Sequence, residues 1–279
     1  MKEYSRKRKN LIVWAGILCV IAILAEGNAV QKKENKNAAG ELPQIIVGSD
    51  DYPPFNYSDE NGQPTGIDVD LAKEAFGRMG YRAVFRQINW EEKKEMLDAG
   101  EIDCVWGSFS MDGREEEYNW AGPYMVSRQV VAVNESSDIY TLKDLEGKRV
   151  AVQSTTKPEE IFGNHEDSRI PNIKDLFSMQ NRELIYPFLS KGYVDAVAAH
   201  ETAILQYMKD YNLQYRILEE PLLTVGLGVA FNKEDKREIA ETLTETFKEM
   251  RADGSAEKII SNYLDGAEKY LEVDAYENE

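Results

Sequence analysis

One arginine is surrounded by residues that would let it do chemistry. Arg114 lies in the stretch Trp106 to Tyr124, WGSFSMDGREEEYNWAGPY. The stretch follows a run from Ile102 that reads as a buried strand, and it ends near Gly122-Pro123, which reads as a turn. That order places Arg114 on a loop at the carboxyl end of a strand, where open α/β sheets take their ligands. A guanidinium presents a planar fork of N–H donors that matches a carboxylate with two parallel bonds. Ser108 and Ser110 add short hydroxyl donors beside it. The chemistry is anion binding. The plainer reading of the same residues is a solvated surface ion pair, because Glu115, Glu116 and Glu117 follow directly.

The bulk of the chain bounds these readings. At 279 residues with 42% apolar content, two compact domains with hydrophobic cores are expected. A net charge of −17 argues against a nucleic-acid partner, whose phosphates require a basic face. It does not exclude a small anion, since a buried arginine sets its own local potential. The amino terminus departs from the acidic balance: Lys2, Arg6, Lys7, Arg8 and Lys9 precede an apolar run from Leu11 to Ala25. A basic segment before a short apolar one is the pattern of an export signal. The run falls short of the roughly 20 residues a membrane span needs. Residues 1–29 are therefore expected to be a signal peptide, with an uncleaved signal-anchor as the alternative, and Gly27-Asn28-Ala29 offers a small-residue cleavage site. Cys19 lies inside this segment behind Leu18, which argues against lipidation. The remaining thiol, Cys104, reads as a buried small hydrophobe. No cofactor and no metal are expected.

The elements that must position Arg114 follow in order. Residues 30–42 are polar and aperiodic and read as a flexible spacer. A strand is expected at Ile45–Val47, turn chemistry from Asp50 to Pro64, and a helix from Asp68 with Leu71, Ala72, Ala75, Phe76 and Met79 on one face, ended by Gly80. Strands at 81–86 and 102–106 flank a helix over 91–99. This alternation implies a mostly parallel sheet covered by helices. A strand at Gln129–Val133 and a short helical turn over 140–147 lead into a second series. Its strands are expected at 149–153, 194–199, 215–218 and 225–231. Its helices are expected to open at Pro158 and to span 182–191, 201–210 and 236–251.

Six segments in this order resemble one known family, the bacterial extracellular solute-binding proteins of family 3, the polar amino-acid receptors of ABC importers. They are VGSDDYPPFNY with GQPTGIDVDLAKEAF, INWEEKKEMLDAGEIDCVWGSFS, REEEYNWAGPY, LKDLEGKRVAVQSTT, VDAVAAHETAILQYM, and LGVAFNKED with ADGSAEKIISNYL. The resemblance runs from Ile45 to Leu264. It implies an α/β, two-lobed periplasmic-binding-protein-like fold with two hinge strands that closes on its ligand. Lobe one would comprise 43–131 and 230–279 and lobe two 132–229. The crossing strands would lie at Val130–Val133 and Gly226–Val229. It also implies an exported monomer that delivers an amino acid or related small carboxylate to an ABC permease.

Carried over residue by residue, the resemblance lets Arg114 hold a ligand α-carboxylate with Ser108 and Ser110, although the interval from Ser110 to Arg114 is one residue shorter than in many members. Tyr52, Phe55 and Trp90 fall at the family's aromatic wall; core packing is the plainer role for each. Thr155 and Thr156 match a Gly-Thr-Thr turn whose N–H groups and hydroxyls complete the carboxylate site, with Ser154 in place of the glycine. A helix N-cap is the alternative for Thr155. One position departs. Where the family usually places an aspartate for the ligand's α-ammonium, this sequence has His200, followed by Glu201. A neutral imidazole accepts a single hydrogen bond and a protonated one accepts none. Either Glu201, Asp50 or Asp51 takes the role, the ligand lacks an α-ammonium, or His200 only starts a helix. Two further readings remain. One is a dehydratase-type enzyme on the same scaffold, with His200 or Glu201 as general acid. The other is a sensor module, which would need an uncleaved anchor.

Overall fold

The computed structural model describes residues 41–164 and 167–273. The expected leader, Cys19, nearly all of the spacer and His165 lie outside the described residues. From Gln44 onward the chain forms one unit, organised on a single mixed sheet of nine strands.

The first series begins with β1 (Gln44–Ser49), a small hairpin of β2 (Tyr57–Ser58) and β3 (Pro64–Thr65), and helix α1 (Ile67–Arg78). In α1 the residues Ile67, Leu71, Ala72, Ala75 and Phe76 are buried, the apolar spacing read from the sequence. Gly66 starts this helix with φ of 121°, and a Cβ there would stand 2.2 Å from the Phe55 carbonyl oxygen, so only glycine fits. Strand β4 (Arg82–Gln87), a 3₁₀ turn (Trp90–Glu92), α2 (Lys93–Asp98) and β5 (Cys104–Ser110) follow. All seven residues of β5 are buried, as expected of a strand covered on both faces.

The Gly122-Pro123 pair is not a turn. It lies inside β6 (Asn119–Asn134), a strand of 16 residues. A Cβ at Gly122 would meet the Gly228 Cα of the neighbouring strand at 3.3 Å, and the register opposite shifts between Leu227 and Val229. The turn-like pair is thus absorbed as a local irregularity of the ladder.

The second series comprises β7 (Arg149–Gln153), α3 (Lys157–Asn164), β8 (Asp175–Met179), a 3₁₀ turn (Arg182–Leu184), α4 (Ile185–Ser190), β9 (Ala196–His200), α5 (Glu201–Asp210) and β10 (Tyr215–Ile217). The chain then returns through β11 (Leu223–Phe231) to α6 (Ile239–Ala252) and α7 (Ser255–Ile260). Strand order is β4-β1-β5-β11-β6-β9-β7-β8, with β10 paired to β6. β1 runs parallel to β4 and β5, and β7 parallel to β8 and β9, while β6 and β11 are antiparallel to their neighbours. Strand β6 pairs with β11 up to Gln129 and with β9 from Gln129 onward, so it joins two halves of the sheet. Each half has its own apolar packing. Phe76, Trp106, Phe231 and Phe247 centre the first, and Val150, Phe162, Ile185 and Leu189 belong to the second. The carboxyl ends of β1, β5, β7 and β9 bring the chain to one cleft.

Candidate ligand-binding cleft

A partly open cleft lies between the two halves. From the first half it is lined by Tyr52, Trp90, Ser108, Phe109, Ser110 and Arg114, and from the second by Gln153, Thr155, Thr156, Lys157, Arg182 and His200, with Gln129 of β6 between them. The turn after β5 carries Arg114 back over the end of its own strand. Its side chain is 12% exposed, and its guanidinium stands 5.5 Å from the Phe109 ring. Its contacts are long: 3.5 Å from Nη1 to the Ser110 carbonyl and 3.7 Å from Nη2 to Glu160 across the cleft. A guanidinium has five N–H donors, and these two contacts leave most of its capacity unspent.

Ser108 sits at φ of 52°, a conformation that side chains other than glycine rarely adopt. Its N–H is held by Asp68 Oδ2 at 2.7 Å. Asp68 also accepts from the Tyr124 hydroxyl at 2.8 Å and from Asn56 Nδ2 at 3.1 Å. Burial nevertheless pushes its pKa up to about 7, against the pull of these donors. Asp68 thus fixes the backbone of a cleft residue from behind. The Ser108 hydroxyl has no hydrogen-bond partner in the protein.

On the facing side Thr155 is the second strained residue, with φ of 55°. Its N–H donates to Glu159 Oε2 at 2.6 Å, and its hydroxyl accepts from Lys93 Nζ at 2.8 Å. The Thr156 hydroxyl donates to the Gln153 carbonyl, while its own carbonyl accepts the first turn of α3 through the Glu160 N–H. Thr156, not Thr155, therefore stands at the head of the helix. Lys93 is buried beside the rings of Trp90 and Phe109, and that burial, with Arg114 nearby, lowers its pKa to about 8. Further bonds span the cleft. Gln153 Nε2 donates to Asp50 at 2.8 Å, Arg182 pairs with Asp50 at 3.3 Å, and Gln180 bonds Glu91.

His200 ends β9 directly opposite Gln129 on β6. Ser127 lies two residues before Gln129, so both share the face that meets the imidazole. Nδ1 is 2.9 Å from the Ser127 hydroxyl and Nε2 is 2.8 Å from Gln129 Nε2. Burial, reinforced by the charge of Arg182, lowers the His200 pKa to about 3, so the ring is neutral. With the Gln129 nitrogen facing it, His200 Nε2 accepts and Nδ1–H donates to Ser127; the opposite tautomer pairs with the amide turned over and the Ser127 hydroxyl as donor. Both ring nitrogens are spent within the protein.

Eight of the residues singled out in the sequence line this cleft: Tyr52, Trp90, Ser108, Ser110, Arg114, Thr155, Thr156 and His200. Two do not. Phe55 is fully buried behind Tyr52, its ring 5.5 Å from the Tyr52 ring, as a large apolar side chain in a core position should be. Glu201 turns away to form an ion pair with Arg128 at 3.0 Å. Neither Asp50 nor Asp51 is among the lining residues. Sequence reasoning missed Gln129, Gln153, Lys157 and Arg182. The usable signal for the two glutamines was a polar residue at one end of an apolar run: Gln129 opens Val130–Val133 and Gln153 closes Val150–Val152. For Arg182, over the Tyr52 ring at 3.2 Å, nothing in the local pattern marked it.

Residues 45–266 match the bacterial extracellular solute-binding proteins, family 3. The chain belongs to that family. Among curated relatives, the histidine-binding periplasmic protein of Escherichia coli (strain K12) is 35% identical over 240 residues, covering 82% of this chain and 90% of the relative. Among solved structures, the substrate-binding protein of an amino acid ABC transporter has a TM-score of 0.71 at 27% identity, covering 79% of this chain and 99% of that one. An ancestral amino acid-binding protein, a precursor of cyclohexadienyl dehydratase, has a TM-score of 0.70 at 25% identity over 80% of this chain and 95% of that one. The two halves of the sheet are accordingly the two lobes of a family 3 solute-binding protein, and the cleft lies between them. Members of the family are extracellular or periplasmic. Among the described residues no helix is long and apolar enough to cross a membrane.

Proposed function

We propose that this chain captures an amino acid or related small carboxylate outside the cytoplasmic membrane and delivers it to an ABC permease. Arg114 would hold the carboxylate, with Ser108, Ser110, Thr155 and Thr156 as further polar partners and Tyr52 and Trp90 as the apolar wall. His200 would close the far end, and Phe55 and Glu201 would support the site from outside it. The lobes would divide near 131 and 230, and the leader would export the chain or tether it.

One observation supports this reading above the rest. The cleft keeps a nearly buried guanidinium on two long contacts, beside the unpartnered Ser108 Oγ, Trp90 Nε1, Gln129 Oε1 and Gln153 Oε1. Each buried polar group without a partner costs about 1–3 kcal/mol, a cost that a bound polar solute would offset. Turnover has less support. His200 is neutral and bonded at both nitrogens, and Glu201 is held by Arg128, which suits neither to give up a proton to a bound solute.

Titration calorimetry with a panel of amino acids and plain carboxylates tests the proposal. At least one should bind, and Arg114→Ala should weaken it by about thirtyfold or more, the equivalent of roughly 2–5 kcal/mol for stranding a desolvated charge. Binding that Arg114→Ala leaves intact, or no binding across the panel, would overturn it.

A further inference from the structure

The polar residues at the far end of the cleft bear on which carboxylates it takes. Its lining contains three cationic side chains, Arg114, Lys157 and Arg182, and no aspartate or glutamate. Most of the carboxylates nearest to it are engaged by protein cations and donors. Asp50, outside the lining, bonds Gln153 and pairs with Arg182 through Oδ2, and its buried Oδ1 has no partner in the protein. Glu160 takes Lys157 Nζ at 2.8 Å and 2.9 Å. Glu159 accepts from the Thr155 N–H and the Ser178 hydroxyl. Glu201 is held by Arg128. An ammonium brings three N–H donors and a full charge, and a buried one is tolerated only when paired. Here it would meet guanidinium and ammonium groups instead.

The unpartnered acceptors of the lining are neutral. Gln129 Oε1 and Gln153 Oε1 are buried and lack partners in the protein. In this arrangement the imidazole accepts from Gln129 Nε2 and the Gln129 oxygen faces away from the ring; turning the amide over requires the Nε2–H tautomer, with the Ser127 hydroxyl donating to Nδ1. The cross-strand pairing of Gln129 with His200 keeps both side chains on one face. His200 is therefore a positioning residue, and the group that would touch the solute is the Gln129 carbonyl oxygen.

We infer that the preferred solute is an anion without an α-ammonium, a small carboxylate whose neighbouring polar group is an uncharged donor such as a hydroxyl, accepted by the Gln129 amide that His200 orients. This rests on the carboxylate-receptor reading of the cleft. The affinities of matched 2-hydroxy and 2-amino acids, measured by calorimetry on the full chain at pH 7.5, test it. Glutamate with 2-hydroxyglutarate, phenylalanine with phenyllactate, and histidine with imidazole-lactate form suitable pairs, each of one configuration.

In every pair that binds, the hydroxy acid should bind at least tenfold tighter. Gln129→Glu, which returns a carboxylate to that position, should reverse the ratio, and His200→Asp should do the same by a shorter route. His200→Gln, whose amide oxygen can still accept from Gln129, should keep the wild-type ratio. A purely structural role for His200 would weaken both members of a pair alike. If the amino acid binds as tightly as its hydroxy twin or more tightly, the inference is overturned while the carboxylate reading stands. If neither these pairs nor the wider panel of amino acids and plain carboxylates shows any binding, the carboxylate reading falls and takes the inference with it.

Discussion

Asp68 should make this protein less stable as pH rises through neutrality, the reverse of what a salt-bridged carboxylate does. Burial raises its pKa in the folded chain from an ordinary 3.8 to about 7. Between these values the folded state holds a proton that the unfolded state has released. Stability contributed by the protonated form is therefore complete only below about pH 4 and is lost progressively up to about pH 7. The slope approaches 1.4 kcal/mol per pH unit, or roughly 4 kcal/mol in all. Asp68→Asn isolates this effect, because an amide imitates the protonated acid. Its oxygen can accept from the Ser108 N–H and Asn56, and its nitrogen can donate to a Tyr124 hydroxyl turned about, at a cost of about 1 kcal/mol for the hydroxyl proton. Urea unfolding of both proteins from pH 5 to pH 8.5 should show the variant close to wild type at the acid end and more stable than it by several kcal/mol at the alkaline end. The neighbouring titrations of Lys93 and His200 are common to both proteins and cancel in the difference. A difference that stays flat across this range would refute the reasoning, since it would mean that the three donors to Asp68 outweigh its burial.

Two other substitutions probe the frame of the cleft. Arg182→Ala should destabilise the fold by about 3–5 kcal/mol in urea at pH 7, because it strips the cation from a buried ion pair; replacing Asp50 by Leu in the same chain should recover much of the loss, and a single-variant effect under 1 kcal/mol would count against it. Gly66→Ala should lower the melting temperature sharply, with a loss of about 2 kcal/mol or more from positive φ and the 2.2 Å approach to the Phe55 carbonyl; an unchanged melting curve would show that α1 can shift to make room.

The elements were legible wherever burial imposed a period. The helix over Glu201–Asp210 was expected at those bounds, and α1 within about a residue, because one apolar face decides each. Strand β8 escaped, since its mostly exposed residues carry no alternation to read. Gly122-Pro123 misled because its local chemistry says turn, while the long pairing of β6 with β11 overrides it. In the cleft, Arg114 could be singled out from its loop and its hydroxyl neighbours. Arg182 could not, because its role depends on Asp50 and Tyr52, more than 120 residues away in the chain. Gln129 became visible only when β6 and β9 were laid side by side. Strand pairing, not sequence spacing, sets that contact.

The place of β11 in the sheet has a consequence for how the chain comes to be made. It lies between β5 and β6, yet it is synthesised after every element of the second lobe. Until Phe231 has emerged, the first lobe has a gap at the middle of its sheet, with the facing edges of β5 and β6 unpaired. The second lobe has no such debt to later sequence: β7, β8, β9 and β10 can assemble on the far end of β6 as they appear. The amino-terminal lobe is thus the last to be completed, and while it waits its unpaired strand edges are exposed to pairing with other chains.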